Sequence, residues 1–356
     1  MYSLKGIKGV SKRSVVTSIL FSTLSFMLLL SLQTMAFASS YFVSPTGSNS
    51  NNGSQSFPFK TINHALTQMA SGDNLNVMAG TYQECIYKPI PNGQNANSHT
   101  LLAAYPDGAS VVLKPTNYAP CTANTVFFFQ PTNENITIKG LELDGSGYNS
   151  SKGYGNTGIH IEGSQNISIE NSNIHDFKIA GVETNVDSND TSGIVLSHNS
   201  INNNFTGVFV SSSHVTVSFC DIAGNANTGI DIGNFSSDAP ILNISSVNIE
   251  GNFIRDNSKS NSTGEITLFN NAGDVTTGTN IRDNVIFSNG LGINIYGWNN
   301  NTTIENNSLT YFNNYAVYVA EVANHTLIQH NLFHGTNRPG DVNNQAGNKT
   351  TVGPNY

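Results

Sequence analysis

One phrase repeats along this chain, and it leaves few folds open. Its clearest copy runs from Gly158 to Phe177 as GIHIEGSQNISIENSNIHDF. Ile159 and Ile161 alternate with His160 and Glu162, and Ile167 and Ile169 alternate with Ser168 and Glu170. A period of two buries one face of a strand, and no helical period runs through the segment. The leading dipeptide recurs at Gly181-Val182, Gly207-Val208, Gly229-Ile230, Gly264, Gly292-Ile293 and Ala316-Val317, in steps of 22 to 35 residues. A second strand follows each one, as at Val215–Phe219 and Thr302–Asn306, then a polar turn and a third short strand, as at Ile254-Arg255. One such unit cannot cover its own apolar face, whereas stacked units share a continuous core. The expected fold is all-β: a single-stranded parallel β-helix, a solenoid of about ten rungs. Asn199, Asn252, Asn284 and Asn307 each stand two residues before an apolar residue, so stacking is expected to align them into an amide ladder that Ser172 and Cys220 interrupt.

The first 38 residues read differently. Lys5, Lys8, Lys12 and Arg13 precede an apolar run from Val15 to about Leu32, and Ala36-Phe37-Ala38 is a small-x-small cleavage signal. Residues 1–38 are expected to be a signal peptide, with 39–356 an exported domain, secreted, periplasmic or at the cell surface, and not inserted in a membrane after cleavage. The leader holds four of the 15 Lys and Arg and no acid, which leaves 11 basic against 23 acidic residues, net −12. That balance excludes nucleic acid as a partner.

Tyr41 to Phe59 is polar, and Lys60 to Ser71 is expected to be a short capping helix with Thr61 as N-cap and Ile62, Leu66 and Met69 on one face. The run TGSNSNNGSQSFPFKTINHAL…SGDNLNVMAGTYQE, from Thr46 to Glu84, resembles the opening of secreted right-handed parallel β-helix proteins of the pectate-lyase-like superfamily. The matching parts are the Gly-rich polar loop, Pro58-Phe59-x-Thr61-Ile62, Gly72-Asp73 and Gly80-Thr81-Tyr82, with Asn49 where an Asp is common. The resemblance implies a right-handed coil. Lyases, hydrolases, epimerases and non-enzymes share this opening, so it implies no catalytic residue. The tail 336–356 is expected to lie over the last rung. Cys85 and Cys121, both near the start of the domain, are the expected disulfide, and Cys220, inside a repeat, reads as a buried thiol.

Outward positions carry whatever chemistry such a scaffold has. In the strand after each leading residue these are His160, Glu183, Phe209, Asp231, Thr267, Asn294 and Tyr318, with Gly264 read one residue late so that Ile266 and Leu268 face inward. Rungs lie about 4.8 Å apart, so His160 and Glu183 are neighbours and Glu183 and Asp231 stand roughly 9–10 Å apart. Two carboxylates at that separation suit an inverting glycosidase. Water-facing strands also collect acids without any chemistry. Glu183 and Asp231 are the candidate acid/base pair, with His160 beside Glu183. Phe209, Phe269, Tyr296, Trp298 and Tyr318 are candidate sugar-binding faces, each ring offering flat apolar area. Elimination would need a base, for which Lys178, His175, Arg255 and Arg282 are candidates. Asp187 and Asp190 are the candidate Ca²⁺ ligands, and no cofactor is otherwise required. These readings imply a monomeric, carbohydrate-active protein that cleaves a polysaccharide by hydrolysis or β-elimination in a surface groove, or else a non-catalytic glycan-binding or structural β-helix protein.

Overall fold

The computed structural model describes residues 38–115, 124–147, 156–185, 191–234, 243–257, 263–270, 274–288, 290–334 and 341–356. By its contacts the chain divides into Met1–Ala38 and Ser39–Tyr356, and the second unit is a parallel β-helix. From Thr125 onward most turns lay one strand into each of three long sheets, of twelve, ten and nine strands. Gln165–Glu170 belongs to the twelve-stranded sheet, Asn173–His175 to the ten-stranded sheet and Ala180–Asn185 to the nine-stranded sheet. A fourth, three-stranded sheet of Asn243–Ser245, Val275–Thr277 and Asn299–Asn300 lines one corner.

The repeat dictates this stacking. Ile159, Val182, Val208, Ile230, Ile266, Ile293 and Val317 are register partners up the nine-stranded sheet. Ile174, Ile201, Ile222, Ile254, Ile286 and Leu309 do the same in the ten-stranded sheet. All of them are 0 % exposed. The leading glycines have a steric cause. A Cβ on Gly158 would lie 2.5 Å from the Gly181 carbonyl oxygen, and one on Gly181 would lie 2.8 Å from that of Gly207. The rungs therefore close to strand spacing only because those positions lack a side chain.

The amide ladder forms as its spacing implies. Asn252 Nδ2 donates to Asn284 Oδ1 at 3.0 Å, Asn284 Nδ2 to Asn307 Oδ1 at 3.0 Å and Asn307 Nδ2 to Asn331 Oδ1 at 2.9 Å. Cys220 sits in the ladder rather than breaking it: its N–H donates to Asn252 Oδ1 at 2.9 Å, and its Sγ accepts from Asn199 N–H at 3.4 Å. Ser172 N–H likewise donates to Asn199 Oδ1 at 2.9 Å. Asn284→Ala strands the buried Asn252 N–H, which donates to Asn284 Oδ1, and the Ile249 carbonyl, which accepts from Asn284 Nδ2. Urea unfolding should show a loss of about 2–3 kcal/mol; a loss under about 0.5 kcal/mol would mean that the ladder is ornamental.

Both ends depart from expectation. The helix covers only Ile62–Leu66, not 60–71, with Thr61 Oγ1 accepting from His64 N–H. It stops because Thr67 folds back, its hydroxyl donating to the His64 carbonyl at 2.7 Å, and because Asp73 Oδ2 draws in Ala70 N–H at 2.7 Å. Met69 is buried all the same, so the apolar spacing was real and its regular helix was not. Asn49 Oδ1 accepts from Lys60 and Thr61 N–H, tying the Gly-rich loop to the helix start. The tail does not lie across the last rung; it builds another. Val342–Asn344 pairs with Val317–Val319, and Thr350–Val352 pairs with Thr326–Gln329.

Candidate functional site

On the nine-stranded sheet the outward column runs Phe128, His160, Glu183, Phe209, Asp231, Thr267, Asn294, Tyr318, each in register with the next. His160 is clamped between two carboxylates. Its Nδ1 lies 3.2 Å from Glu183 Oε2 and its Nε2 lies 3.4 Å from Glu162 Oε2, while the Phe128 ring packs 5.2 Å away. Burial works against a charged imidazole here, but the hydrogen bonds and charges of Glu183 and Glu162 outweigh it and hold its pKa above the usual histidine value. The two acids thus favour the charged imidazole, and His160 ties the Glu183 carboxyl to the strand.

Asp231 is the chemical outlier. An outward position on a strand should face water, yet this side chain is 4 % exposed. Its register neighbours are Phe209 and Thr267, neither of them a cation. Among the described residues its Oδ1 has no hydrogen-bond partner. Burial pushes its pKa up to about 8, against a smaller opposing pull from the Ile232 N–H. At neutral pH the group is a carboxylic acid and carries a proton to give.

The aromatic candidates divide. Phe269 and Tyr296 stack at 5.7 Å with planes 8° apart, on the position two residues beyond the column. Tyr296 and Trp298 are half exposed, so they offer open ring faces beside the column. Phe209 stands in the column between Glu183 and Asp231, and Tyr318 sits three rungs beyond Asp231 against Tyr315. Gly233 has φ +145°, and a Cβ there would drive into the Phe269 backbone carbonyl, so no other residue fits beneath that ring.

Other candidates lie elsewhere. Arg282 pairs with Glu250 in the twelve-stranded sheet. Arg255 pairs with Asp221, and His175 with Glu142 and Asp176, in or beside the ten-stranded sheet, while Lys178 is exposed. None of these bases shares the Asp231 column. Asp144, His175 and Asp176 bring ligand atoms within 4.8 Å of one another, but Lys114 Nζ already lies 2.6 Å from Asp144. Asp187, Asp190 and Cys121 lie outside the described residues. Cys85 is disulfide-bonded, and Cys220 is a free buried thiol whose pKa burial raises to about 11.

Two acids escaped the sequence reading. Glu162 was visible as an outward residue, but not as the second clamp on His160. Glu265 gave no signal at all. It is 0 % exposed and ends a second, unforeseen ladder: Asn204 Nδ2 donates to Asn225 Oδ1 at 3.1 Å, Asn225 Nδ2 to Asn257 Oδ1 at 2.7 Å and Asn257 Nδ2 to Glu265 Oε2 at 2.7 Å.

These features place the chain in a known family: residues 125–309 match the family model described as right handed beta helix region, and the chain belongs to it. It is 26 % identical over 145 residues to YwoF of Bacillus subtilis (strain 168), a stretch covering 40 % of this chain and 30 % of the length of that relative. Among solved structures it is similar to XylC in complex with xylose, at TM-score 0.65 and 13 % identity, over 86 % of this chain and 69 % of that one. A protein described as a glycoside hydrolase matches at TM-score 0.66 and 10 % identity, over 89 % and 96 % of the two chains. A family-136 lacto-N-biosidase from Eubacterium ramulus matches at TM-score 0.55 and 10 % identity, over 97 % and 72 %. At such identities the likeness is one of fold. Among the described residues no helix is long and apolar enough to cross a membrane.

Proposed function

We propose that this β-helix is an exported glycoside hydrolase that cuts a neutral polysaccharide along its nine-stranded face. The observation that carries the reading is Asp231, a buried carboxyl with its pKa near 8, two rungs from a carboxyl held by a histidine. Hydrolysis of a glycosidic bond needs one group to protonate the departing oxygen and another to activate water. Asp231 supplies the proton. Glu183, fixed by His160, draws a proton from a water that attacks the anomeric carbon from the far side of the ring. The roughly 9–10 Å between the two rungs leaves room for that water and fits inversion. Tyr296, Trp298 and the Phe269 ring beneath Tyr296 hold neighbouring sugar faces. Three names among similar folds, a xylose complex, a glycoside hydrolase and a lacto-N-biosidase, point to the same ligand class. Export is supported by the basic-apolar-small leader and by the bonded Cys85.

The test is product chemistry. The mature protein, incubated with xylan, β-glucan, mannan and arabinan, should release reducing ends from at least one without ultraviolet-absorbing unsaturated ends. An unsaturated product would replace hydrolysis by elimination, and no product from any polymer would remove the enzyme reading. Glu183→Gln should lower kcat by about 10²–10³-fold with KM little changed. Full activity in that variant would remove Glu183 from the mechanism.

A further inference from the structure

The ten-stranded sheet carries a second aromatic surface that the proposed cleavage does not use. Phe287 is the register partner of Arg255 and Val285 that of Phe253, and the Phe253 and Phe287 rings meet diagonally across the two rungs, 5.5 Å apart and nearly perpendicular. Phe287 stacks in turn on Tyr311 at 6.2 Å and 24°. Arg255 lies over the Phe253 ring at 5.1 Å, with its Nη2 3.1 Å from Asp221 and its Nη1 3.8 Å from Asp256. Phe253, Arg255, Asp256, Phe287, Ser288 and Tyr311 line a hollow of about 300 Å³.

Tyr311 is the telling residue. Its ring is 65 % exposed, and its backbone is left-handed, φ 62°. Equivalent turns below it meet that conformation with Asp176, Asn203, Gly224 and Asp256. Those residue types tolerate the left-handed region, whereas a bulky ring does so at a cost. A costly backbone under an exposed aromatic is not explained by packing, since the side chain buries little.

We propose that the Phe253–Phe287–Tyr311 ledge is a second glycan-binding surface, taking pyranose rings of a neutral polysaccharide on a different sheet from Asp231. The choice of ligand class rests on the proposed hydrolase. The chemistry of the ledge agrees with it. Flat ring faces alternate with a guanidinium and carboxylates at the same level, which suits a ligand apolar on its face and hydroxylated around its edge. One Arg against Asp221 and Asp256 leaves a slight acidic surplus, which disfavours polyuronates and anionic lipid surfaces. A protein partner would have to bury Arg255, Asp221 and Asp256, each more than a third exposed and already paired.

The experiment uses the whole mature chain carrying Asp231→Asn, so that ligand survives, with xylohexaose, cellohexaose and mannohexaose as probes in titration calorimetry. At least one hexaose should bind, and adding Tyr311→Ala, a substitution on the surface, should weaken that binding tenfold or more or remove one of two sites. Arg255→Ala should weaken it in the same direction. The inference falls if no hexaose binds, or if Tyr311→Ala leaves binding unchanged while Trp298→Ala abolishes it. The second result would spare the hydrolase reading. Conversely, binding lost with Tyr311→Ala in a protein that cleaves no polymer would keep the ledge and remove the hydrolase.

Discussion

Asp231→Asn is expected to lower kcat for glycosidic cleavage by about 10³-fold or more, with KM and fold unchanged, as read by reducing-end assay and circular dichroism. The substitution removes a proton and almost nothing else. Asparagine fills the same space between Phe209 and Thr267, and among the described residues the native side chain has no charged partner to lose. A carboxyl whose pKa burial has raised to about 8 is a competent acid throughout the neutral range and stops being one above it. Activity of the native protein should therefore fall as pH rises through about 8, and that alkaline limb should be missing from whatever residual rate Asp231→Asn retains. His160 titrates on the same face, and its own raised pKa ties it to Glu183 rather than to Asp231. Replacing it with Gln should alter the acid-side profile more than the alkaline one. A fully active Asp231→Asn protein would remove the proposed acid outright.

The architecture was largely written in the alternation. Ile159, Val182, Val208 and Ile230 stack as their spacing requires, and even the late-read rung, Ile266 and Leu268 inward with Thr267 outward, lies in register with Asp231. The neighbourhood of His160 and Glu183 was legible for the same reason: period two sets the face, and the leading Gly sets the register. What a periodic pattern cannot state is depth. Asp231, Thr267 and Asn294 share the outward face with His160, yet the first three are nearly buried, and an alternation pattern marks the face without marking how deep it lies. The second ladder was legible only when counted from the right residue. Asn204, Asn225 and Asn257 each stand three residues after the inward Ile201, Ile222 and Ile254, whereas their distance to the next leading Gly varies from three to seven. The helix failed for a local reason, the Thr67 hydroxyl and the Asp73 carboxylate competing for backbone groups that a longer helix would have used.

Glu265→Gln should abolish a large pH dependence of stability. Glu265 is 0 % exposed, and burial raises its pKa from 4.5 to about 8, outweighing the hydrogen bonds from Asn257 and Ser288 that favour the carboxylate; the nearby Asp256 charge adds to the rise. Between those two values the folded chain holds a proton that the unfolded chain has released. Stability then falls as pH rises through that window and levels off above it. The shift corresponds to roughly 4 kcal/mol lost between pH 5 and pH 8.5. Glutamine keeps the shape and can accept from Asn257 through its carbonyl oxygen, while its amide stands where the acid proton would be, so the second ladder survives. In urea melts the Gln variant should match the native protein at pH 5 and exceed it at pH 8.5. Asp231→Asn should remove the separate slope that the other buried acid contributes, and the double variant should be flattest of all, since the two groups lie on different columns. If the native protein and Glu265→Gln lose stability in parallel from pH 5 to 8.5, Glu265 is not the proton-holding group, and the ladder must end in a carboxylate stabilised by its amides alone.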